Sequence, residues 1–263
     1  MSKKNLISRV LVALISCPLV IFLIYSGDIY LLVFSMLIIF ALLAEFTSFT
    51  SLQLSPLQQV FLVISGMAIP LISWLEIEDF SPYFLIIFLM FWLFLEITRK
   101  PLENSIKRSA IGPFALVLFA LIPALIFPLW KIDPIIALLP FVMVWVTDSM
   151  AYFSGKIIQG PKVFPVLSPH KTWAGLVGEI IGGIIVGIGF KLIWPEIFGW
   201  DIVIFGFSAS LFAVVGDLFE SKIKREMHIK DTSHAIPGHG GVWDRLDSWL
   251  FVQIWAWIYF VLL

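Results

Sequence analysis

Apolar runs of about 20 residues, the length of one membrane crossing, follow one another along the chain with short polar stretches between them. They predict helical spans near residues 6–25, 29–45, 57–75, 80–97, 111–130, 133–152, 173–194, 202–219 and 248–263. Pro113, Pro123 and Pro128 fall in the fifth. There they would kink the helix or mark its ends, which is tolerable where neighbouring helices satisfy the freed backbone groups. The first run follows Lys3, Lys4 and Arg9 and passes through Pro18 to Tyr25 without a small-residue cleavage site, so a retained span is expected rather than a cleaved leader. The expected fold is all-α, a polytopic integral membrane protein of about nine transmembrane helices.

Charge orients these spans. With the N-terminus cytoplasmic, all of the 17 Lys and Arg except Lys131 and Lys191 fall in cytoplasmic segments. That is the bias expected of the inner face, and it puts the C-terminus outside. Composition agrees, with 60% hydrophobic residues, 25 Phe and 11 Trp, and charged residues at 13%, about half the share in soluble domains. No hydrophilic run is long enough for a separate soluble domain. Residues 1–263 therefore read as a single membrane domain, 1–130 being N-terminal spans and 131–263 the spans that carry the chemistry, with cytoplasmic polar segments at 148–172 and 217–248. A net charge of −1 excludes an overall basic nucleic-acid binder. The single cysteine, Cys17, excludes a disulfide framework or a cysteine zinc cluster.

The segment 217–248 interleaves Lys222, Lys224, Arg225, Lys230 and Arg245 with Asp217, Glu220, Glu226, Asp231, Asp244 and Asp247. A loop that only gripped anionic lipid would be polybasic; mixed charge of this density suits a site that gathers cations and phosphates. Asp244 and Asp247, three apart at the expected start of the last helix, share one face. With Asp217 they offer oxygen ligands to a hard cation such as Mg²⁺, although N-capping is the plainer role for such a pair. Upstream lies Pro237-Gly238-His239-Gly240-Gly241, where backbone N–H groups and the following helix N-terminus could approach a phosphate. Lys224, Arg225 and Lys230 are natural phosphate partners, and His239 could donate to a phosphate or act on a proton, whereas His228 and His234 read as ordinary loop residues. In 148–172, Gly155, Gly160, Pro161, Pro165 and Pro169 are expected to break any helix. Asp148 lies at membrane depth, where an acid usually faces a bundle interior or a wet cavity. Gly178, Gly182, Gly183 and Gly187 allow close helix contact or dimerisation, with lipid entry as the other role.

These residues carry a resemblance. Ser221, Lys224, Arg225, Lys230, Asp231, Pro237, Gly238, His239, Gly240, Gly241, Asp244, Arg245 and Asp247 stand at the spacing of the signature of phosphatidate cytidylyltransferases, also called CDP-diacylglycerol synthases. Asp148, Ser149, Ala151, Tyr152 and Gly155, then Ser168, Pro169, Lys171, Thr172 and Gly175, resemble that family's second polar segment, so the likeness covers roughly the C-terminal half. Asn5, Leu6 and Arg9 resemble its usual opening. Ala174 departs from it, standing where Glu commonly precedes the glycine, and Glu179 follows Gly178 where a second Gly is usual. The resemblance implies that CTP and phosphatidate give CDP-diacylglycerol and pyrophosphate. It also implies a Mg²⁺-dependent two-cation centre at Asp217 and Asp244, with K⁺ as a candidate second ion. In that reading Asp247 and Asp148 bind the metal or stand beside it. Lys224, Arg225, Lys230, His239 and Arg245 handle phosphates along with Asp231, Gly240 and Gly241, while Ser168, Lys171 and Thr172 hold substrate. The site would lie on the cytoplasmic face of a plasma or inner membrane, with a homodimer allowed. Two rivals remain open: a CTP-dependent kinase of a polyprenol-type alcohol, which would release CDP, and a secondary transporter, which should show internal repeats that are not found here.

Overall fold

A computed structural model of the chain describes residues 3–50, 54–77, 81–99, 103–233, 235–236 and 240–263, with the side chains of 3–13 and of Ser81 outside that set. The helices are α1 (Lys3–Ser26), α2 (Asp28–Phe49), α3 (Pro56–Trp74), α4 (Ser81–Ile97), α5 (Ser105–Ile132), α6 (Pro134–Ile158), α7 (Trp173–Ile193), α8 (Ile202–Glu226) and α9 (Trp243–Trp257). Two short strands, β1 (Lys162–Phe164) and β2 (Ser168–Thr172), form an antiparallel hairpin between α6 and α7. Among the described residues six helices, α2, α3, α5, α6, α7 and α8, are long and apolar enough to cross a membrane. The other three expected spans are also helical. Leu14–Ser26 and Pro82–Ile97 are apolar but shorter, and α9 continues as a π-helix through Ile258–Leu262.

Two expectations are corrected, and at the fifth span one of two alternatives holds. The prolines interrupt that helix without ending the span: it widens to a π turn at Val117–Leu121, turns at Leu125 and runs on to Ile132. Pro123 has no N–H to give and its ring crowds the carbonyl four residues back, Phe119, which lies inside that turn. Gly155 does not break α6, which continues to Ile158, because the missing side chain lets the next segment come close: a Cβ there would lie 3.1 Å from Thr172 Oγ1. And α8 does not stop at 219 but extends to Glu226. Asp217, Glu220 and Lys224 therefore lie on one helix at i, i+3 and i+7.

The chain packs as two compact units, Met1–Pro134 with Thr232–Trp243, and Ile135–Asp231 with Asp244–Leu263. In the first, α3 starts at a capping box in which Ser55 Oγ accepts from Gln58 N–H at 3.2 Å and Gln58 Oε1 accepts from Ser55 N–H at 3.0 Å. Beside it Arg108 reaches Glu96 at 2.7 Å and Arg99 donates to Gln58 Oε1 at 2.9 Å. Burial of these polar groups is affordable because each meets a partner.

In the second unit small residues bring helices into backbone contact. A Cβ on Gly183 would fall 2.2 Å from the Gly206 carbonyl oxygen, and one on Gly187 would fall 2.6 Å from that of Ile202, so α7 and α8 touch. Gly178 and Gly182 face Ser154 and Met150 of α6. The small-residue stripe thus packs against helices of its own chain. Gly216 serves α8 and α9 in the same way, its added Cβ lying 2.5 Å from the Asp247 carbonyl. That contact draws the two acid-bearing helices together.

Candidate active site

The α8 acids meet the first turn of α9. Carboxylate oxygens of Asp217, Glu220 and Asp247 all lie within 4.8 Å of one another. A cation with oxygens at about 2.0–2.1 Å spans roughly 4.2 Å between opposite ligands, and one at 2.3–2.6 Å spans up to about 5 Å. The set therefore fits a hard divalent ion after at most a small inward turn of a side chain. Glu220 is 1% exposed, and its Oε1 has no hydrogen-bond partner. A buried acceptor left open in this way is what a cation site needs. The other oxygen, Oε2, is ion-paired with Lys224, one helical turn on, and Lys224 also holds Asp244 Oδ1 at 2.7 Å. Asp247 Oδ1 accepts from the N–H of Ser248 at 2.7 Å.

A second lysine enters from the hairpin. Lys171 Nζ lies 2.7 Å from Asp217 Oδ2 and 3.8 Å from Glu179 Oε2. Its position is fixed by the next residue, Thr172, whose hydroxyl caps α7 by accepting from Gly175 N–H at 3.1 Å. Burial would depress the Lys171 ammonium, but the Glu179 and Asp217 carboxylates more than offset this and hold it above the ordinary lysine value. Asp148, exposed on α6, lies within electrostatic reach of Glu179, Lys171, Asp217 and Arg245. A cavity of ≈ 330 Å³ opens beside Lys171, lined among others by Tyr152, Gly155, Lys156, His170 and Glu179. Ser168 is half-buried on the hairpin, and Arg225, Lys230, Asp231 and Arg245 are exposed.

The glycine segment belongs to the first unit, and Pro237, Gly238 and His239 lie outside the described residues, as does His234. Ile236 N–H donates to Gly240 O at 2.9 Å. At the N-terminus of α9 the N–H groups of Val242 and Trp243 donate to the carboxylate of Glu45, at 2.6 and 2.9 Å.

A model of the cytidylyltransferase family matches residues 7–263. The chain belongs to that family. As a cytidylyltransferase-family member it is similar to proteins named phosphatidate cytidylyltransferase. That of Bacillus subtilis (strain 168) is 41% identical over 125 residues, covering 46% of this chain and 45% of the relative. The Staphylococcus saprophyticus protein is 40% identical over 116 residues, 44% of this chain and 45% of the relative. The Brucella abortus (strain 2308) protein is 39% identical over 108 residues, 41% of this chain and 40% of the relative. The chain thus matches less than half the length of these curated relatives.

The sequence alone assigns no role to three acids of this family member. Glu220 was legible in principle, since it stands three residues after Asp217 and four before Lys224 once α8 is allowed to continue. Glu179 stood out only as a departure from a pattern. Glu45 carried no signal beyond being a lone acid at the end of an apolar run.

Proposed function

We propose that the chain transfers the cytidylyl group of CTP to phosphatidate, giving CDP-diacylglycerol and pyrophosphate. The observation that carries this reading is the meeting of Asp217, Glu220 and Asp247 within 4.8 Å, flanked by Lys171 and Lys224, in a chain matched by the family over 7–263. The relatives' printed name supplies the substrate pair. In this reading the chemistry belongs to residues 131–263 of a single membrane domain. That domain has nine crossings and a cytoplasmic N-terminus, and its active site is on the inner face.

A lipid phosphomonoester is already a dianion near neutral pH, so no protein nucleophile is required. Its oxygen forms a bond to the α-phosphorus of CTP, the bond from that phosphorus to the bridging oxygen breaks, and pyrophosphate leaves with the electron pair. The barrier is repulsion between two anions, so positioning and charge neutralisation do most of the work. A divalent cation such as Mg²⁺ supplies that neutralisation when bound. Asp217, Glu220 and Asp247 would hold it, with Asp148 nearby, and Asp244 is the natural ligand of a second ion, Mg²⁺ or K⁺. Lys171 and Lys224 already sit among the carboxylates, so arriving phosphates compete for ammonium groups that are in place. The cavity beside Lys171 gives the lipid phosphate a berth against one of them, while the exposed Arg225, Lys230 and Arg245 receive the triphosphate with Asp231. Ser168 and Thr172 hold the hairpin end of the substrate site.

Labelled CTP, phosphatidate and Mg²⁺ are supplied to the full chain in mixed micelles. CDP-diacylglycerol and pyrophosphate are expected in equal amounts. Release of CDP with phosphorylation of a lipid alcohol would replace this reading with the kinase, and CTP-independent solute uptake would replace it with the transporter.

A further inference from the structure

Glu45 sits near the end of α2, 7% exposed, in a helix that is otherwise almost wholly apolar. Such a carboxylate is costly to bury unless its oxygens are fully occupied, and here they are. Oε1 accepts from Ser233 Oγ at 2.5 Å and Val242 N–H at 2.6 Å. Oε2 accepts from Thr232 Oγ1 at 3.1 Å and Trp243 N–H at 2.9 Å. Two donors belong to the residues where the chain leaves for the glycine loop, and two to those where it returns, so one side chain ties both ends of segment 232–243 together. The returning end is also the first turn of α9, where a negative charge is favoured by the helix dipole.

Two further features depend on this contact. A Cβ at Gly241 would fall 2.1 Å from Thr232 Oγ1 and 2.7 Å from each Glu45 oxygen, so any other residue would push the carboxylate off its donors. Trp243 is buried, stacks on Phe49 at 5.9 Å and meets Phe119 edge-on at 4.7 Å. That packing holds the side chain while Glu45 holds the backbone.

We propose that Glu45 is a positioning residue: it ties Thr232 and Ser233 to Val242 and Trp243 and so fixes the first turn of the helix whose next residue is Asp244, presenting that acid in one geometry. The proposal rests on the cytidylyl-transfer reading for its consequence, but the clamp itself does not. A carboxylate meant only to stabilise the fold would be expected to bond within its own layer of helices. This one accepts from Thr232, Ser233 and Val242 outside the helices and from Trp243 at the start of α9. Freeing that turn costs ordering entropy each time substrate binds, and a misplacement of about 1 Å in a positioning group can cost on the order of 10²-fold in rate.

The test uses the full chain in micelles, with wild-type turnover of CTP and phosphatidate measured first; failure of that baseline sinks the functional reading and leaves the clamp to be judged by amide exchange. In Glu45→Gln, which keeps the shape and replaces one acceptor with a donor, exchange at Val242 and Trp243 should accelerate at least about tenfold, the equivalent of one charge-assisted bond. The amides of α2 and α3 should keep their wild-type rates. kcat/KM for CTP should fall roughly 100-fold, mainly through KM for CTP, with the melting transition retained. If that variant does not fold, Ser233→Ala, which leaves the carboxylate charged and removes one bond, carries the same expectations at about tenfold. Unchanged exchange at Val242 and Trp243, or a kcat/KM that falls only with the folded fraction, overturns the proposal.

Discussion

A buried carboxylate oxygen without a hydrogen bond costs on the order of 1–3 kcal/mol or more, and Glu220 Oε1 is in that position between Asp217 and Asp247. A fold keeps such an expense where something else repays it, and a divalent ion is the partner the surrounding oxygens select. Glu220→Gln preserves size and the α8 helix while removing the charge, so the concentration of Mg²⁺ giving half-maximal rate should rise at least about tenfold; initial rates across a Mg²⁺ series measure it, and an unchanged curve would remove Glu220 from the ligand set. Lys171 sits among acids in the opposite sense. Its side chain is 23% exposed, so replacing it by Met should cost about 1–3 kcal/mol, less than the roughly 3–5 of a fully buried pair. Because the folded-state value lies above the ordinary 10.5, the stabilisation is present in full below about pH 10.5 and is lost as pH rises through the folded-state value. The wild type's advantage over Lys171→Met in thermal unfolding should therefore shrink as pH is raised into strong alkali.

At the scale of elements, what could be read and what could not separates by the range of the interaction involved. Uninterrupted apolar runs are a local property, and each expected span has a helix over it. The hairpin was not anticipated, because Lys162–Phe164 and Ser168–Thr172 are too short to show alternation and lie among prolines. The second expected span stops at Glu45 and the eighth at 219, yet both helices continue, because tertiary partners make the charges there tolerable. The glycines were legible as contact residues but not as to which helix each would meet. Gly206→Ala should push a methyl into the Gly183 carbonyl, 2.2 Å from the ideal Cβ position, and lower stability by about 1–3 kcal/mol. Gly189→Ala, on the same helix as Gly183 but with nothing within 4 Å, should leave it unchanged or raise it by up to about 1 kcal/mol. Paired melting curves decide whether α7 and α8 depend on that approach.

For the molecule as a whole, crossing number and orientation can be argued from where polar partners collect within each unit. In the first, Gln58, Glu96, Arg99 and Arg108 gather at one end of the helices. At the other end Trp74 donates to Asp28 at 2.8 Å and Lys131 pairs with Glu76 at 3.4 Å. In the second, the acid and lysine cluster occupies one end. The opposite end has Lys191 donating to the Phe198 carbonyl at 2.8 Å and Tyr259 hydrogen-bonded to Asp201. The two lysines left over from the inner-face bias, Lys131 and Lys191, thus both lie at the end opposite the cluster of basic and acidic residues in their unit. The doubtful crossing is α4, whose 17 residues reach about 26 Å at 1.5 Å per residue, short of a hydrocarbon core of about 30 Å. Local thinning of the bilayer or snorkelling of flanking residues can make up a gap of that size at modest cost. In a Cys17→Ala background, Lys107→Cys and Lys162→Cys should react with a membrane-impermeant maleimide from the cytoplasmic face, and Glu76→Cys and Glu196→Cys from the other. Labelling of positions 76 and 107 from the same face would delete α4 as a crossing, and every later span would then be turned over. The acids of α8 and α9 would face away from cytoplasmic CTP, so the orientation of this one short helix decides whether the proposed chemistry has access to its nucleotide.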